Sequence, residues 1–325
     1  MSDRSRLENS IPGIDAAFLT GSLVERAATV SQIRTACLNT GFFSIDNLLG
    51  QSKLHSKLLQ GMRQFFALPD DDPRKQAIDV THKENTNGWM PLGQEPAYQP
   101  GTLAHVESFD CGHEILAARQ QSGTANRWPD ISGFRENVLN ARDELTRVGM
   151  AVLEALAEAL YMDKAFFTDR CSTCELSTMR LLNYPASEGG IDASTDVGIA
   201  AHTDFECITL LSQTAPGLEL LNSNGEWVNA PASDDRLIVL LGDMVERWTN
   251  GSFRATGHRV RCRDWQRFSV VLFFGVNDDV VIAPQSQFVT DEKPAQFAPV
   301  RQQEHSQAQL RKAETNREDQ ARAIS

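Results

Sequence analysis

The sequence predicts a mainly β fold with flanking helices: an antiparallel sandwich or jelly roll in the second half of the chain, preceded by a helical and mixed N-terminal region. Three observations carry this. Through the first 160 residues apolar positions recur every three or four residues, as on amphipathic helices. After Cys174 the texture changes to short β-branched and apolar runs of strand length. Most of those runs have no helix-length segment between them, which favours antiparallel pairing over a parallel α/β sheet.

Taken in order, Ser22 to Thr40 and Ser52 to Leu68 carry the helical period first. The longest periodic segment runs from Ile131 to Met162, with Phe134, Val138, Leu145, Val148, Leu153, Leu156 and Leu160 on one stripe. Each stripe is expected to lie on a core. Between the second and third helices, Asp70 to Gly101 is rich in Gly, Pro and Asn and reads as a long loop or irregular hairpin, of a length often tied to function. Strands are expected at Glu175 to Tyr184, Ile208 to Ser212, Leu218 to Leu221, Arg236 to Leu241, His258 to Cys262, Arg267 to Val276 and Val280 to Ala283. Pro216-Gly217, Asn224-Gly225 and Asn277-Asp278 supply turns between them. The polar end, Arg301 to Ser325, reads as a surface helix or a loose tail. The chain then divides into an N-terminal region (1–120), a supporting helix (121–173), a jelly-roll core (174–285) and a C-terminal polar segment (286–325).

Composition narrows the partners. With 31 basic against 43 acidic residues the formal charge is −12, which repels phosphate backbones and anionic lipid. Nucleic acid and membrane are therefore not expected partners, whereas a small molecule is. The apolar runs Leu237 to Leu241 and Val270 to Phe274 are far too short to span a bilayer, and the opening ten residues are polar. A cytoplasmic protein is expected. The six cysteines, Cys37, Cys111, Cys171, Cys174, Cys207 and Cys262, do not form a disulfide framework and read as reduced thiols. Cys171-x2-Cys174 lacks the second ligand pair that a zinc ribbon needs, so packing is the better reading.

Three of the seven histidines begin a His-x-acid triplet: His82-Lys83-Glu84, His105-Val106-Glu107 and His202-Thr203-Asp204. Chance predicts roughly one in a chain of this composition, so context must decide. On a strand, residues i and i+2 face the same way and both side chains can reach one ion. His82 sits among Lys83, Asn85 and Asn87 and reads as solvated surface. His105 and Glu107 lie on a potential strand running to His113 and remain a rival metal site. His202 leads directly into the β run Cys207-Ile-Thr-Leu-Leu, which places its triplet at a strand mouth. His258 opens a later strand, and Arg267-Phe268-Ser269 begins the one after it. Two imidazoles and one carboxylate on one face of Fe(II) leave adjacent positions open for a chelating 2-oxo acid and dioxygen. Arg267 could then grip the far carboxylate of 2-oxoglutarate bidentately, with Ser269 on the same strand face adding a hydrogen bond.

An ordered series of motifs resembles the isopenicillin N synthase-like branch of the 2-oxoglutarate and Fe(II)-dependent dioxygenases. It runs through Ile11-Pro-Gly-Ile-Asp15, Gly41-Phe-Phe43, Gly88-Trp-Met-Pro-Leu-Gly93, Glu107-Ser-Phe-Asp110 and Arg180-Leu-Leu-Asn-Tyr-Pro185. It continues through Ala201-His-Thr-Asp204, Gly242-Asp-Met244, Arg247-Trp-Thr-Asn250, Arg254-Ala-Thr-Gly-His-Arg-Val260 and Arg267-Phe-Ser269. The resemblance implies a double-stranded β-helix core, iron ligands His202, Asp204 and His258, and cosubstrate contacts from Arg267, Ser269 and Tyr184. Two departures stand out: Leu182 where many plant relatives carry Asn, and Ala255 where Ser is common before the distal histidine.

The implied activity is oxidation of a small metabolite by Fe(II), 2-oxoglutarate and O2, with release of succinate and CO2, in specialised-metabolite biosynthesis. Hydroxylation, desaturation, cyclisation and ethylene formation all remain open, as does the oligomeric state. For the substrate, Trp89, His105, Glu107, Phe109 and Phe205 are candidates, each with an alternative reading as core or solvated edge. Two other readings stay open: an iron oxidase of isopenicillin N synthase type that does not use 2-oxoglutarate, and a non-catalytic small-molecule binding protein on the same fold.

Overall fold

The computed structural model describes residues 11–19, 23–48, 51–81, 87–113, 125–174, 176–187, 196–233 and 235–324. The N-terminal region is more mixed than its helical period predicts. Its elements are β1 (Gly13–Asp15), α1 (Leu23–Asn39), β2 (Phe42–Asp46), α2 (Gln51–Phe66), α3 (Pro73–Gln76), β3 (Gly88–Met90), β4 (Leu103–Ala104) and β5 (Glu107–Cys111). The stretch expected as one long loop is thus broken by α3 and β3. Asp72 caps α3 by accepting the N–H of Arg74 at 2.9 Å, with Pro73 at the first helical position.

The supporting helix is α4 (Phe134–Ala159), followed by α5 (Phe166–Arg170). The strand-rich half comprises β6 (Thr178–Tyr184), β7 (Asp196–Val197), β8 (Ile199–His202), β9 (Ile208–Gln213), β10 (Leu218–Leu221), β11 (Trp227–Asn229) and β12 (Leu237–Leu241). After α6 (Asp243–Trp248) come β13 (His258–Val260) and β14 (Arg267–Phe274), then β15 (Val281–Ile282), β16 (Val300–Arg301) and α7 (Gln302–Ile324). The polar C-terminal stretch is therefore helix rather than tail.

The strands form an eight-stranded sheet in the order β1-β2-β12-β9-β14-β6-β5-β3 and a four-stranded sheet in the order β11-β10-β13-β8. All neighbours in the large sheet are antiparallel except β1 with β2. Two cores follow from strand alternation. On β14, Phe268, Val270, Leu272 and Phe274 face the helices, where they join Val148, Val152, Leu153 and Leu156 of α4 in one buried cluster. Each fully buried Leu or Phe there contributes roughly 1.5–3 kcal/mol. Gly149 lets α4 approach the sheet, because a Cβ added at this position would stand 2.3 Å from Cε2 of Phe274. The opposite faces carry Leu182, Tyr184, Leu211, Leu218, Val260 and Val271, which fill the space between the two sheets. Cys171 and Cys174 lie buried in the helix-side core. No helix among the described residues is long and apolar enough to cross a membrane.

Candidate metal centre and its cavity

His202 closes β8 and His258 opens β13, and the antiparallel register sets them directly opposite one another. Their ring centroids are 4.3 Å apart. Asp204 lies beyond the end of β8, with its Oδ1 3.7 Å from Nε2 of His202 and 3.6 Å from Nε2 of His258. One ligand atom from each residue lies within 4.8 Å of the other two, the only such group of His, Cys, Asp or Glu among the described residues. The triplet does not rest on strand alternation alone, since Asp204 stands in a loop held by the start of α6. Asp243 N–H donates to the Asp204 carbonyl at 2.9 Å, and Met244 N–H to that of Glu206 at 3.1 Å. Gly242 permits the approach: a Cβ added there would lie 2.2 Å from the Glu206 carbonyl oxygen.

The protons on the imidazoles are placed by their partners. His202 Nδ1 is 2.8 Å from the Ala200 carbonyl and His258 Nδ1 is 3.0 Å from that of Thr256. A carbonyl only accepts, so each Nδ1 carries a hydrogen, which in the neutral ring leaves the Nε2 lone pair turned to the centre. Burial, followed by repulsion from His258, pushes the pKa of His202 down to about 4, which keeps the ring neutral and ligating at pH 7. Tyr98 stacks on His202 at 4.4 Å between centroids and 12° between planes. Asp204 Oδ2 accepts a hydrogen bond from the Thr209 hydroxyl, leaving Oδ1 for the centre. Two imidazole nitrogens and one carboxylate oxygen, with their second atoms already engaged, fit a facial site for ferrous iron.

The centre opens into a cavity of about 250 Å³ between the sheets. Arg267, Ser269, Val271 and Phe273 alternate inward along β14. Arg267 is 2% exposed; its Nε and Nη2 donate to Gln213 Oε1 at 2.9 and 2.8 Å, while its buried Nη1 has no hydrogen-bond partner. Tyr184 covers the guanidinium at 4.6 Å. That orphaned donor is what an incoming carboxylate would satisfy. Ser269 is also buried beside Arg267, with its hydroxyl donating to the Ser212 carbonyl at 3.0 Å.

The substrate candidates separate cleanly. Phe205 lines the cavity, whereas Trp89, Glu107 and Phe109 do not. The physical reason is register on β5: Asp110 pairs with Arg180 and lines the cavity with it, while Glu107 and Phe109, one residue out of step, point to the other side of the sheet. There Glu107 accepts hydrogen bonds from Lys75 Nζ at 3.0 Å, Trp89 Nε1 at 2.9 Å and Asn183 Nδ2 at 2.7 Å, a satisfied buried cluster that also replaces the rival metal site. His105 does not line the cavity either; its N–H donates to the Val197 carbonyl at 2.7 Å. The triplet at His82 lies outside the described residues.

Several cavity residues escaped the sequence reading: Tyr98, Asp110, Arg180, Glu206, and Ser306 with Leu310 of α7. Arg180 was within reach, being two and four residues before the inward-facing Leu182 and Tyr184. Ser306 and Leu310 share a helix face by their i, i+4 spacing, but nothing local says which way that face points. Glu206 is pushed up to about 8, chiefly by burial and then by the charge of Asp204.

A His-x-Asp and a distal His at the open end of a two-sheet jelly roll define a mononuclear non-haem iron oxygenase. Known proteins bear the same features. The model of the 2OG-Fe(II) oxygenase superfamily matches residues 177–276, and that of the non-haem dioxygenase N-terminal region, described from morphine synthesis, matches residues 11–131. The 2-oxoglutarate-Fe(II) type oxidoreductase hxnY of Emericella nidulans is 30% identical over 270 residues, covering 79% of this chain and 76% of that protein. A putative 2OG-Fe(II) oxygenase family protein from Caulobacter crescentus superposes with a TM-score of 0.79 at 26% identity, over 94% of this chain and 99% of the other. A full-length Neurospora crassa protein solved in complex with alpha-KG and thymine shares the fold, with a TM-score of 0.79 at 23% identity over 93% of this chain and 96% of that one. The chain belongs to the 2-oxoglutarate and Fe(II)-dependent oxygenase superfamily.

Proposed function

We propose that this dioxygenase oxidises a small metabolite, with iron held by His202, Asp204 and His258 and the far carboxylate of 2-oxoglutarate held by Arg267 and Ser269 under Tyr184. The observation that carries the reading is the pairing of a converged His-Asp-His group with a buried guanidinium whose Nη1 is unpartnered. The cofactor pair supplies the activation of dioxygen, with succinate and CO2 as by-products. The chain's residues do the rest. Ala200 and Thr256 orient the imidazoles, Thr209 orients Asp204, and Tyr184, Leu182, Leu211 and Leu218 keep the space between the sheets dry. Phe205 and Phe273 offer apolar surface to a substrate near the metal centre.

A cavity of about 250 Å³ that must also admit the cosubstrate supports a small guest, since drug-sized ligands occupy sites of roughly 300–1,000 Å³. The thymine bound by the Neurospora protein and the Streptomyces validamycin A dioxygenase among the relatives fit a small-metabolite role. Relatives named as 2-oxoglutarate-dependent favour use of that cosubstrate over the oxidase alternative. Labour divides along the chain, with 174–285 carrying the proposed ligands, 121–173 backing the sheet, and the two ends walling the cavity. Six free cysteines support a cytoplasmic setting.

The test is anaerobic addition of 2-oxoglutarate to the Fe(II)-loaded protein, followed by a succinate-release screen over a metabolite panel. A visible iron-to-2-oxo-acid absorption band and substrate-dependent succinate are expected from wild type, and neither from His202→Ala. A wild-type protein that never develops the band refutes the reading.

A further inference from the structure

Two arginines stand on the inner sides of β6 and β14, Arg180 in the cavity wall and Arg267 behind it, and they are paired in opposite ways. Arg267, behind Tyr184, is held by the neutral amide of Gln213, which is itself anchored by donating from Nε2 to the Ala230 carbonyl at 2.8 Å. Its charge is left uncompensated. Arg180 on β6 is the reverse case. Its Nε and Nη2 grip both oxygens of Asp110 at 2.8 and 2.7 Å, and its Nη1 donates to Glu95 Oε1 at 2.7 Å. Two carboxylates against one guanidinium leave that wall acidic, and Glu95, 2% exposed, keeps Oε2 buried without a partner. Glu206 adds another carboxyl to the lining. Apart from the two histidines of the metal centre, Arg180 is the only basic side chain lining the cavity among the described residues.

We infer that the cavity selects a prime substrate without a carboxylate: a small neutral or amine-bearing molecule that presents N–H or O–H donors to Glu206 and the Asp110–Arg180–Glu95 wall. This rests on the functional reading above, in which Arg267 is taken by the cosubstrate. A second carboxylate entering the cavity meets Asp110 and an arginine whose charge is already neutralised by Asp110 and by Glu95 behind it, and like-charge juxtaposition strongly disfavours binding in a desolvated site. A donor meets acceptors in the same place. Phe205, Phe273 and Tyr98 add aromatic surface, so a flat ring suits the remaining walls.

Benzoate, benzamide and benzylamine share one ring and differ in charge. Each is titrated by calorimetry into the anaerobic protein loaded with Fe(II) and 2-oxoglutarate. Benzamide or benzylamine is expected to bind at least about tenfold more tightly than benzoate. The double variant Glu95→Gln, Asp110→Asn frees Arg180 with little change of shape, and should raise benzoate affinity about tenfold relative to benzamide. The wild-type series decides alone if the variant does not fold. Benzoate binding as tightly as the other two, or no binding of any of them, overturns the inference. Failure of the underlying reading looks different: the absorption band with 2-oxoglutarate is missing before any probe is added.

Discussion

At the proposed metal centre a single hydroxyl decides which oxygen Asp204 offers. Thr209 donates to Oδ2, so Thr209→Val removes the bond while keeping the volume, and iron affinity should fall about 10–100-fold in a competitive metal titration. Gln213 has the same kind of hold on Arg267. Gln213→Glu would close an ion pair across the existing contacts, so the Kd for 2-oxoglutarate, read from its absorption band, should rise at least about tenfold, with little change in iron affinity. The converged group His202, Asp204 and His258 was legible because metal chemistry draws on few residue types. Thr209 and Gln213 were not. Their chemistry is ordinary, and only the register of β9 against β14, which sets Gln213 opposite Ser269 and Thr209 opposite Phe273, gives them a task.

Elements were read best where a long stripe or a turn-bounded apolar run marked them, as for α4 and for the fully buried β9, β12 and β14. The stripe of α4 was plain from spacing, because its outer side meets water. β2, with Phe42 to Ser44 buried alongside Ile45, shows no alternation and sits between two helices, so its place inside the large sheet was hidden. The same period-two rule explains the misplaced substrate candidates: Glu107 and Phe109 are polar and aromatic as a binding strand requires, yet they occupy the odd face of β5 while Asp110 holds the cavity side. Where α4 crosses the sheet, Gly149 is the contact point. Gly149→Ala gains about 1 kcal/mol of helix propensity but drives a methyl into Phe274 and Leu210, so a net loss of roughly 1–3 kcal/mol is expected in guanidinium unfolding.

Over the whole molecule, segments from both halves of the chain close around the β core. β1 and β2 extend the large sheet, and α7 comes back across the residues before β4. Gln302 Oε1 accepts the N–H of Val276 at 2.7 Å, His305 meets Asp243 at 2.6 Å, and Ala97 exchanges hydrogen bonds with Ala313 and Asn316 at 3.2 and 3.1 Å. A polar tail in sequence is thus a wall in space. No local pattern reveals it, because Asn316 and its partner Ala97 stand 219 residues apart. Truncation after Glu304 should leave the absorption band with 2-oxoglutarate intact. Substrate oxidation should drop at least about tenfold, and succinate formed without product should rise as the cavity floods, measured as the ratio of the two yields.

The attachment of α7 has an evolutionary reach. Its Ser306 and Leu310 line the cavity, yet it donates no strand to either large sheet and no ligand to the metal group. Substitutions on the inner face of α7 can therefore trade one substrate for another while the proposed metal ligands stay untouched, so related chains should diversify there first.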